Sequence, residues 1–196
     1  YSSFEDLLVA LGDGGNTFTI NNTHGSAQAS VEDTALSLGD GSDTLTINNV
    51  TDTLVVNGES GDDVMTVNGT SVGSVMTLNG DNDRDVINIR GVNGTPTVNG
   101  GNGADTINVG SNASGNLANR TNNSGGTTNS INELLTITGG GSSDVITVDD
   151  SADGADNVGE LTNARITGLG MGNANQAVVD GARGIAYSSA EDLLIT

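Results

Sequence analysis

The sequence predicts an all-β fold, a parallel β-helix or β-roll solenoid with coils of about 20 residues and uncapped ends. Three observations predict it. A Gly- and Asp-rich turn recurs along the 196 residues, a short segment with every second residue apolar follows each turn, and aromatic residues make up only 2% of the chain. One unit of this length cannot bury its own inner face, so neighbouring units must stack on it at about 4.8 Å.

The repeated turns place one residue, the slot residue, at a constant position in front of each alternating segment. Six segments contain such a turn: LGDGGNTFTI (11–20), LGDGSDTLTI (38–47), GESGDDVMTV (58–67), GDNDRDVINI (80–89), GGNGADTINV (100–109) and GGGSSDVITV (139–148). The slot residues are Asn16, Asp43, Asp63, Asp85, Asp105 and Asp144, at intervals of 27, 20, 22, 20 and 39 residues. The last interval is close to two of the commonest step, which predicts one coil without the motif.

Short apolar runs before and after the turns predict the strands. The runs before the turns are residues 7–9, 54–56, 76–78 and 134–136. The apolar pairs after the turns are Phe18/Ile20, Leu45/Ile47, Met65/Val67, Ile87/Ile89, Ile107/Val109 and Ile146/Val148. Alternation over four or five residues, bounded by Gly, Asn and Asp, is typical of strands. We expect the outward Thr and Asn side chains to hydrogen-bond along the stack.

A longer repeat indicates that the segment belongs to a tandem array. Residues 1–8 return at 187–194 with seven of eight positions identical, an offset of 186 residues. We therefore interpret 1–196 as a single β-solenoid segment of a longer tandem-repeat chain, whose ends dock on further copies.

Two polar segments interrupt the pattern. We expect 110–130, which is rich in Asn, Gly and Ser, to form a polar loop extruded from the coil stack, and 149–160 to form an acidic loop. Strand-like residues resume at Leu161 and Ile166 and again at 177–179.

The charge balance restricts the classes of partner. The chain has 25 acidic residues against five basic ones and a formal net charge of −20, so it repels nucleic acid phosphates. The acids can form a solvated surface, or bound divalent cations can neutralise part of them. The chain has no cysteine, and no apolar stretch is long enough to span a membrane. We expect no nucleic acid partner and no membrane insertion.

The six turns resemble the calcium-binding nonapeptide of RTX (repeats-in-toxin) proteins, Gly-Gly-x-Gly-x-Asp-x-apolar-x. Residues 100–108 match it fully, 58–65 depart at the second Gly, 139–146 at the fourth, and 80–85 at both. The resemblance implies bound Ca²⁺ along one edge of the stack, with Asn16 as the weakest position. The candidate metal ligands are Asp43, Asp63, Asp85, Asp105, Asp144, Asp40, Glu59, Asp81 and Asn16.

Calcium suits such turns because it takes six to eight oxygen ligands at about 2.3–2.6 Å. Two stacked carboxylates without an ion repel each other by about 3 kcal/mol at an effective dielectric near 20. The alternative is that Gly-Asp turns only make tight corners whose Asp side chains accept backbone N–H groups. Further acidic candidates lie elsewhere: the pairs 5/6, 32/33 and 191/192 for a second file of cations, and Asp149, Asp150, Asp153 and Asp156 in the acidic loop.

Phrases such as TVNGGNGADTINV (97–109) and ARITGLGMG (164–172) are similar to the giant repetitive exoproteins of aquatic bacteria, of adhesin or matrix type. The resemblance implies a secreted or cell-surface location. It also implies a structural role, as one repeat of a calcium-stabilised filament, extracellular matrix fibre or cell-surface polymer. The expected partners are further copies of the segment, head-to-tail or in one chain, with possible lateral bundling.

Other functions are less favoured by the residues. An adhesin module could present 110–130 to glycans or a surface. A β-helix polysaccharide lyase would gather basic groups in a groove, whereas the arginines are scattered at 84, 90, 120, 165 and 183, so we expect no enzymatic activity. An ice-binding solenoid would need a regular Thr array, and the pairs 17/19 and 44/46 are not continued by Val64 and Val86.

Overall fold

The computed structural model describes residues 6–23, 33–172 and 183–196, and these form strands and turns without a helix. The strands are β1 (Asp6–Ala10), β2 (Thr17–Ile20), β3 (Asp33–Ser37), β4 (Thr44–Ile47), β5 (Thr53–Asn57), β6 (Val64–Val67), β7 (Val75–Asn82), β8 (Val86–Ile89), β9 (Thr95–Asn102), β10 (Thr106–Val109), β11 (Leu134–Gly141), β12 (Val145–Val148), β13 (Gly159–Leu161), β14 (Arg165–Gly168), β15 (Gly184–Ser188) and β16 (Asp192–Ile195). None of the described residues belongs to a helix that is long and apolar enough to cross a membrane.

The strands form two stacked sheets, and successive strands alternate between them up to β12. Sheet A has the order β1-β3-β5-β7-β9-β11-β15-β14-β13, and sheet B has the order β16-β12-β10-β8-β6-β4-β2. Pairing is parallel throughout sheet B and from β1 to β15 in sheet A. The predicted all-β class with parallel stacked strands is confirmed.

The core lies between the two sheets and consists of aliphatic and Met side chains. Strands β4 and β6 bury every second residue, so Leu45 and Ile47 point inward and stack on Met65 and Val67. Sheet A supplies the facing layer from residues such as Leu54 and Leu78. Stacking identical positions at one strand spacing buries a thin apolar core without aromatic side chains.

The prediction of a coil without the motif is wrong. Thr97 of β9 pairs directly with Thr136 of β11, and Thr106 of β10 pairs directly with Val145 of β12. The interval of 39 residues is therefore one step of the stack that contains an insertion between β10 and β11.

The insertion includes 110–130, and it folds back over sheet B instead of projecting as an extruded loop. Asn88 donates to the Gly115 carbonyl (3.0 Å), Arg90 donates to that of Ala113 (2.7 Å), and Asn123 donates to that of Val109 (3.1 Å). All residues of β8 and β10 are buried as a result. These strands carry polar outward side chains, which need hydrogen-bond partners once the segment covers them.

The acids at the start of the acidic loop hold this segment in place. Asp149 is buried and accepts the N–H of Gly126 (2.5 Å), and Asp150 accepts the N–H of Thr128 (2.9 Å). Burial alone would raise the pKa of Asp149, but hydrogen bonds from Ser151, Gly126 and Thr196 outweigh it and lower the pKa. Both carboxylates act here as hydrogen-bond acceptors for backbone and hydroxyl groups.

One end of sheet A is covered, so the prediction of uncapped ends is wrong there. Strand β14 pairs antiparallel with β15 and with β13. Ile166 of β14 is buried in the core, and Leu169 and Met171 pack against it. Sheet B has no such addition among the described residues: its outermost strands are β16 and β2. The strand-like residues 177–179 lie outside the described ranges.

Candidate metal centre

The five turns that begin at residues 38, 58, 80, 100 and 139 share one backbone conformation even where glycine is replaced. Their second and fourth positions adopt positive φ, as at Gly101 (φ 110°) and Gly103 (φ 146°). The non-glycine residues at these positions keep it: Glu59 (73°), Asp81 (71°), Asp83 (73°) and Ser142 (93°). The departures from the RTX-like pattern therefore strain the turns without changing their path, and short polar residues tolerate this region best.

The slot residues form a continuous hydrogen-bonded column. Five of them, which we call the Asp column, are buried: Asp43, Asp63, Asp85, Asp105 and Asp144. The Oδ1 atom of each accepts the backbone N–H of the preceding slot residue, at distances of 2.5, 2.7, 2.9, 2.8 and 2.9 Å in chain order. Each carboxylate thereby fixes the turn before it.

Glu191 extends this column, and its pattern was misread in the sequence. Its Oε2 accepts the N–H of Asp144 at 2.7 Å, so it occupies the next slot on the same edge of the stack. Asp6 and Asp33 pair with each other at the start of β1 and β3. The residues considered for a second file therefore do not share one edge, and Glu5 and Glu32 lie outside the described ranges. The sequence feature that could have predicted the position of Glu191 is an acidic residue directly before a strand and after a short Ser-rich turn.

The second carboxylate oxygen has no partner at any position of the Asp column. The Oδ2 atoms of all five residues are buried and accept no hydrogen bond. Buried polar atoms normally have partners, because an unmade hydrogen bond costs about 1–3 kcal/mol and more for a charged group. The column therefore contains a repeated, unsatisfied oxygen.

These oxygens face small spaces that depend on glycine. A Cβ added to Gly58, Gly100 or Gly139 would lie 2.8, 2.6 or 2.7 Å from the Oδ2 of its own turn. The same Cβ would lie still closer to the carbonyl oxygen of the next turn's first residue, which is Gly80, Gly139 or Ser189 respectively. In the four turns that begin with glycine, Oδ2 and a backbone carbonyl oxygen thus flank one space, which we call the turn cradle.

The first turn has an amide where the others have Oδ2. The Nδ2 of Asn16 donates to the carbonyl oxygens of Gly12 (2.7 Å), Gly14 (2.7 Å) and Leu38 (3.3 Å). These residues are the second and fourth of its own turn and the first of the next. Asn16 is therefore placed as a hydrogen-bond donor to carbonyls, and its role as the weakest metal ligand stays a prediction. In the other turns a carboxylate oxygen replaces this donor.

Burial makes the Asp column costly to ionise. Desolvation, assisted by repulsion between neighbouring carboxylates, raises the pKa of Asp63 to about 7, that of Asp85 to about 9 and that of Asp105 to about 6. It also raises the pKa of Asp144. Hydrogen bonds from the preceding backbone N–H groups oppose the shift without cancelling it. A positive charge or a proton is therefore favoured beside the Oδ2 of these four residues.

The structure separates three predicted ligands from the Asp column. Asp40, Glu59 and Asp81 lie at the outer, more exposed side of the turns. Glu59 accepts the hydroxyl of Ser37 (3.0 Å), and Asp81 accepts the N–H of Glu59 (3.2 Å). Glu59 and Asp81 thus hydrogen-bond between successive turns on the surface, and the Asp40 backbone carbonyl accepts the N–H of Gly14 in the preceding turn.

The cradles fit a hard cation in their chemistry. Within the described ranges, no three acidic, histidine or cysteine side chains converge on one point, so a cage built from several side chains is absent there. Each cradle instead offers one carboxylate oxygen and backbone carbonyls. An all-oxygen set of this kind suits Ca²⁺ and does not suit thiophilic metals.

At the ends of β2, β4 and β6, the opposite edge of the stack, which connects sheet B to sheet A, uses neutral side chains, whereas Arg90 and Asp149 follow β8 and β12. Asn48 donates to Asn21 (2.8 Å), and Asn68 donates to Asn48 (2.8 Å). Thr51 donates its backbone N–H to the Thr23 hydroxyl (2.8 Å) and its own hydroxyl to the Thr23 carbonyl (2.6 Å). The expected hydrogen bonding of Asn and Thr side chains along the stack is confirmed.

Comparisons of the chain with protein-family models, with curated proteins and with solved structures found no match.

Proposed function

We propose that this segment is a structural repeat of a secreted β-solenoid, in an extracellular filament, matrix fibre or cell-surface polymer, and that Ca²⁺ bound along the Asp column stabilises it. Hydrogen bonds join equivalent residues of neighbouring turns that are 20 and 22 positions apart in the sequence. These steps support coils of about 20 residues, as in a β-roll. The role is mechanical, and we expect no catalytic activity.

The observation that carries the proposal is the set of five buried Oδ2 atoms without partners, four of which lie beside a carbonyl oxygen of the next turn. Two oxygens cannot hydrogen-bond to each other unless one carries a proton. The amide of Asn16 illustrates the requirement, because it supplies hydrogen atoms to the carbonyls of its turn. A cation meets the same requirement for a carboxylate and keeps the charge that the repeated Asp provides.

Calcium would supply positive charge between the turns and draw the carbonyl oxygens and Oδ2 toward one centre. The chain's own residues do the rest. Asp63, Asp85 and Asp105 hold adjacent turns together through Oδ1, which leaves Oδ2 available. Gly58, Gly80 and Gly100 keep each cradle open because they lack a Cβ. Ligands would thus come from the Asp column and the turn carbonyls, and Asp40, Glu59 and Asp81 would lie outside the shell.

The expected partners are further copies of the segment, on other chains or along the same one. The edges of β2 and β16 carry matching patterns in sheet B. Phe18 and Ile20 on one, and Leu193 and Ile195 on the other, are less buried than their equivalents inside the stack. Parallel pairing of these strands would complete their burial. Strand β14 covers β15 in sheet A, so the contact would form first through sheet B.

The adhesin alternative is less supported. Presentation of 110–130 to a glycan requires free polar groups, and this segment directs many of them to sheet B. Asn123, for example, donates to Val109 and Thr147, and Arg120 donates to Asp85.

The proposal is tested by thermal unfolding with calcium and with EDTA, combined with electron microscopy. We expect a loss of Tm of about 10 °C or more in EDTA, which is about 3 kcal/mol for a chain of this size. Rods of uniform width should form in calcium and shorten or disappear in EDTA. Magnesium at equal concentration is the control, because it prefers a rigid octahedral shell and keeps its waters. An unchanged Tm and unchanged rods after exhaustive EDTA treatment would refute the proposal.

A further inference from the structure

Arg120 occupies an unusual position for a residue of a polar insertion. Its guanidinium lies against two successive turns of the edge that carries the Asp column. Nη1 donates to the carbonyl of Arg84 (2.9 Å), and Nη2 donates to those of Asp85 (2.6 Å) and Ala104 (3.0 Å). The side chain therefore bridges the turn that contains Asp85 and the turn that contains Asp105.

Contacts between the insertion and sheet B fix the position of the Arg120 side chain. Asn108 of β10 donates to the Arg120 carbonyl at 2.8 Å, so the outer face of sheet B holds the backbone of the residue itself. The hydroxyl of Thr106 lies 3.4 Å from Nε. A Cβ at Gly115 would collide with the Arg120 carbonyl oxygen, so the chain passes this point only with glycine. Several independent contacts thus fix one arginine at one step of the column.

The step between Asp85 and Asp105 is the part of the column where a positive charge stabilises the fold most. Asp85 and Asp105 are adjacent in the Asp column, and both have an Oδ2 without a partner. The insertion buries β8 and β10, which start directly after these two residues, so it removes water from the middle of the column. The Arg120 guanidinium lowers the pKa of both carboxyls, in opposition to the larger effect of burial. The segment that desolvates this step also brings a cation to it.

We propose that Arg120 acts as a built-in counter-charge for the Asp85–Asp105 step, so that calcium binds this step more weakly than the other steps of the column. This inference rests on the proposed calcium binding and assigns a graded occupancy to it. Arg120 is a positioning and charge-balancing residue that contacts the turn carbonyls. The turns of Asp85 and Asp105 would stay packed on each other when calcium is scarce, whereas the packing of the other turns would depend on bound calcium.

The test compares Arg120→Gln with Arg84→Gln, in calcium titrations by calorimetry and in thermal unfolding with calcium and with EDTA. Arg84 is a matched control because it is exposed and pairs with Asp62 at 3.0 Å on the outer side of the same turn. Arg120→Gln should lose about 4 °C more in EDTA than in calcium. It should also bind about one calcium more per chain, or bind calcium more tightly. Arg84→Gln should lose little under either condition.

Arg120→Lys separates charge from shape. Lysine keeps the charge but lacks the planar fork, so this variant should retain the calcium response of the natural chain despite a lower Tm. Equal losses for Arg120→Gln in EDTA and in calcium, with an unchanged calcium isotherm, would overturn the inference and leave Arg120 as a packing residue. That result leaves the proposed function intact if the natural chain still responds to calcium. A natural chain without any calcium response would overturn both.

Discussion

The two long edges of the stack join successive turns through different hydrogen-bonding groups. On the acidic edge, carboxylates accept the N–H groups of the preceding turns, and one oxygen of each carboxylate is left over. On the opposite, amide edge, Asn21, Asn48 and Asn68 form a ladder in which each internal amide both donates and accepts. A ladder of amides satisfies itself, whereas a ladder of carboxylates cannot, because an ionised carboxylate only accepts.

The difference indicates that the acids serve a purpose beyond closing the turn. Asn offers the same kind of acceptor oxygen as Asp, and in the first turn the Asn16 amide also donates to the turn carbonyls. A structural corner alone therefore gives no reason to bury five charges. The amide edge shows what a purely structural edge of this stack looks like, and the acidic edge differs from it by a repeated demand for positive charge.

The largest expected difference between the edges concerns glycine. Gly100→Ala places a Cβ 2.6 Å from the Asp105 Oδ2 and against the Gly139 carbonyl. We expect a loss of roughly 3 kcal/mol or more in the free energy of unfolding, because backbone must move. Gly69→Ala on the amide edge is the control, since its Cβ would meet only Asn48 O at 3.8 Å. Urea unfolding in calcium measures both. A loss below about 1 kcal/mol for Gly100→Ala would mean that the cradle is not a confined space.

The next test converts one step of the acidic edge to amide chemistry. Asp85→Asn keeps an acceptor for the N–H of Asp63 and offers an N–H₂ group to the neighbouring carbonyl. In EDTA at pH 8 we expect stabilisation by about 1 kcal/mol, because the variant no longer has to protonate a buried carboxyl, and because a donor is added. In calcium we expect a loss of about 2–3 kcal/mol, because a charged ligand is missing. Thermal unfolding under both conditions measures this reversal of sign.

Asn48→Asp is the reverse exchange on the amide edge. It removes the hydrogen bond to Asn21 and should cost about 1 kcal/mol whether calcium is present or not. Asp85→Asn would contradict the comparison if its effect had the same sign in EDTA and in calcium.

The strands and the column were predictable from sequence where local spacing determines them. Alternating apolar residues after each turn correctly located β4, β6 and β8, and the constant position of Asp predicted which acids would stack. Strand β9 was harder because Pro96 weakens a strand pattern, and its pairing with β11 begins only at Thr97. Local periodicity carries this much information because each strand contacts its equivalent one step away.

Contacts between unlike segments could not be predicted in this way. The 110–130 segment has no periodicity, so its return over sheet B and the destination of Arg120 depend on hydrogen bonds to residues up to 36 positions away. Ile166 was read as strand-like, but the antiparallel pairing of β14 could not be predicted for the same reason, since its partner β15 follows only after residues 169–183. The orphaned Oδ2 atoms required the positions of every nearby donor.

Acidity gives a third distinction between the edges, because burial raises the pKa of the carboxyls in the Asp column. The folded-state pKa values of Asp63, Asp85 and Asp105 lie at about 7, 9 and 6, above the ordinary value near 3.9. Without metal, the folded chain therefore binds more protons than the unfolded chain between about pH 4 and pH 9. Stability falls as pH rises through this window. The acids with a lowered pKa, such as Asp62 and Asp149, change the stability only at pH values below this window.

In EDTA we therefore expect a lower Tm at pH 8 than at pH 5. In saturating calcium the fall should vanish, since the ion replaces the protons. Melts at the two pH values with and without calcium measure both statements. A metal-free Tm that is equal at pH 5 and pH 8 would show that the column is not desolvated as the structure indicates.

The smallest expected effect comes from the one turn on the acidic edge that already uses an amide. Asn16→Asp exchanges the Nδ2 donor for an oxygen that faces the carbonyls of Gly12, Gly14 and Leu38. The site is half-buried, so in EDTA the loss should be only about 1 kcal/mol. In calcium the variant should regain this stability and bind about one more ion per chain, because the turn then has the same donors as its neighbours. Calorimetric stoichiometry decides the matter: an unchanged number of ions would mean that an Asp in this turn geometry does not suffice to make a site.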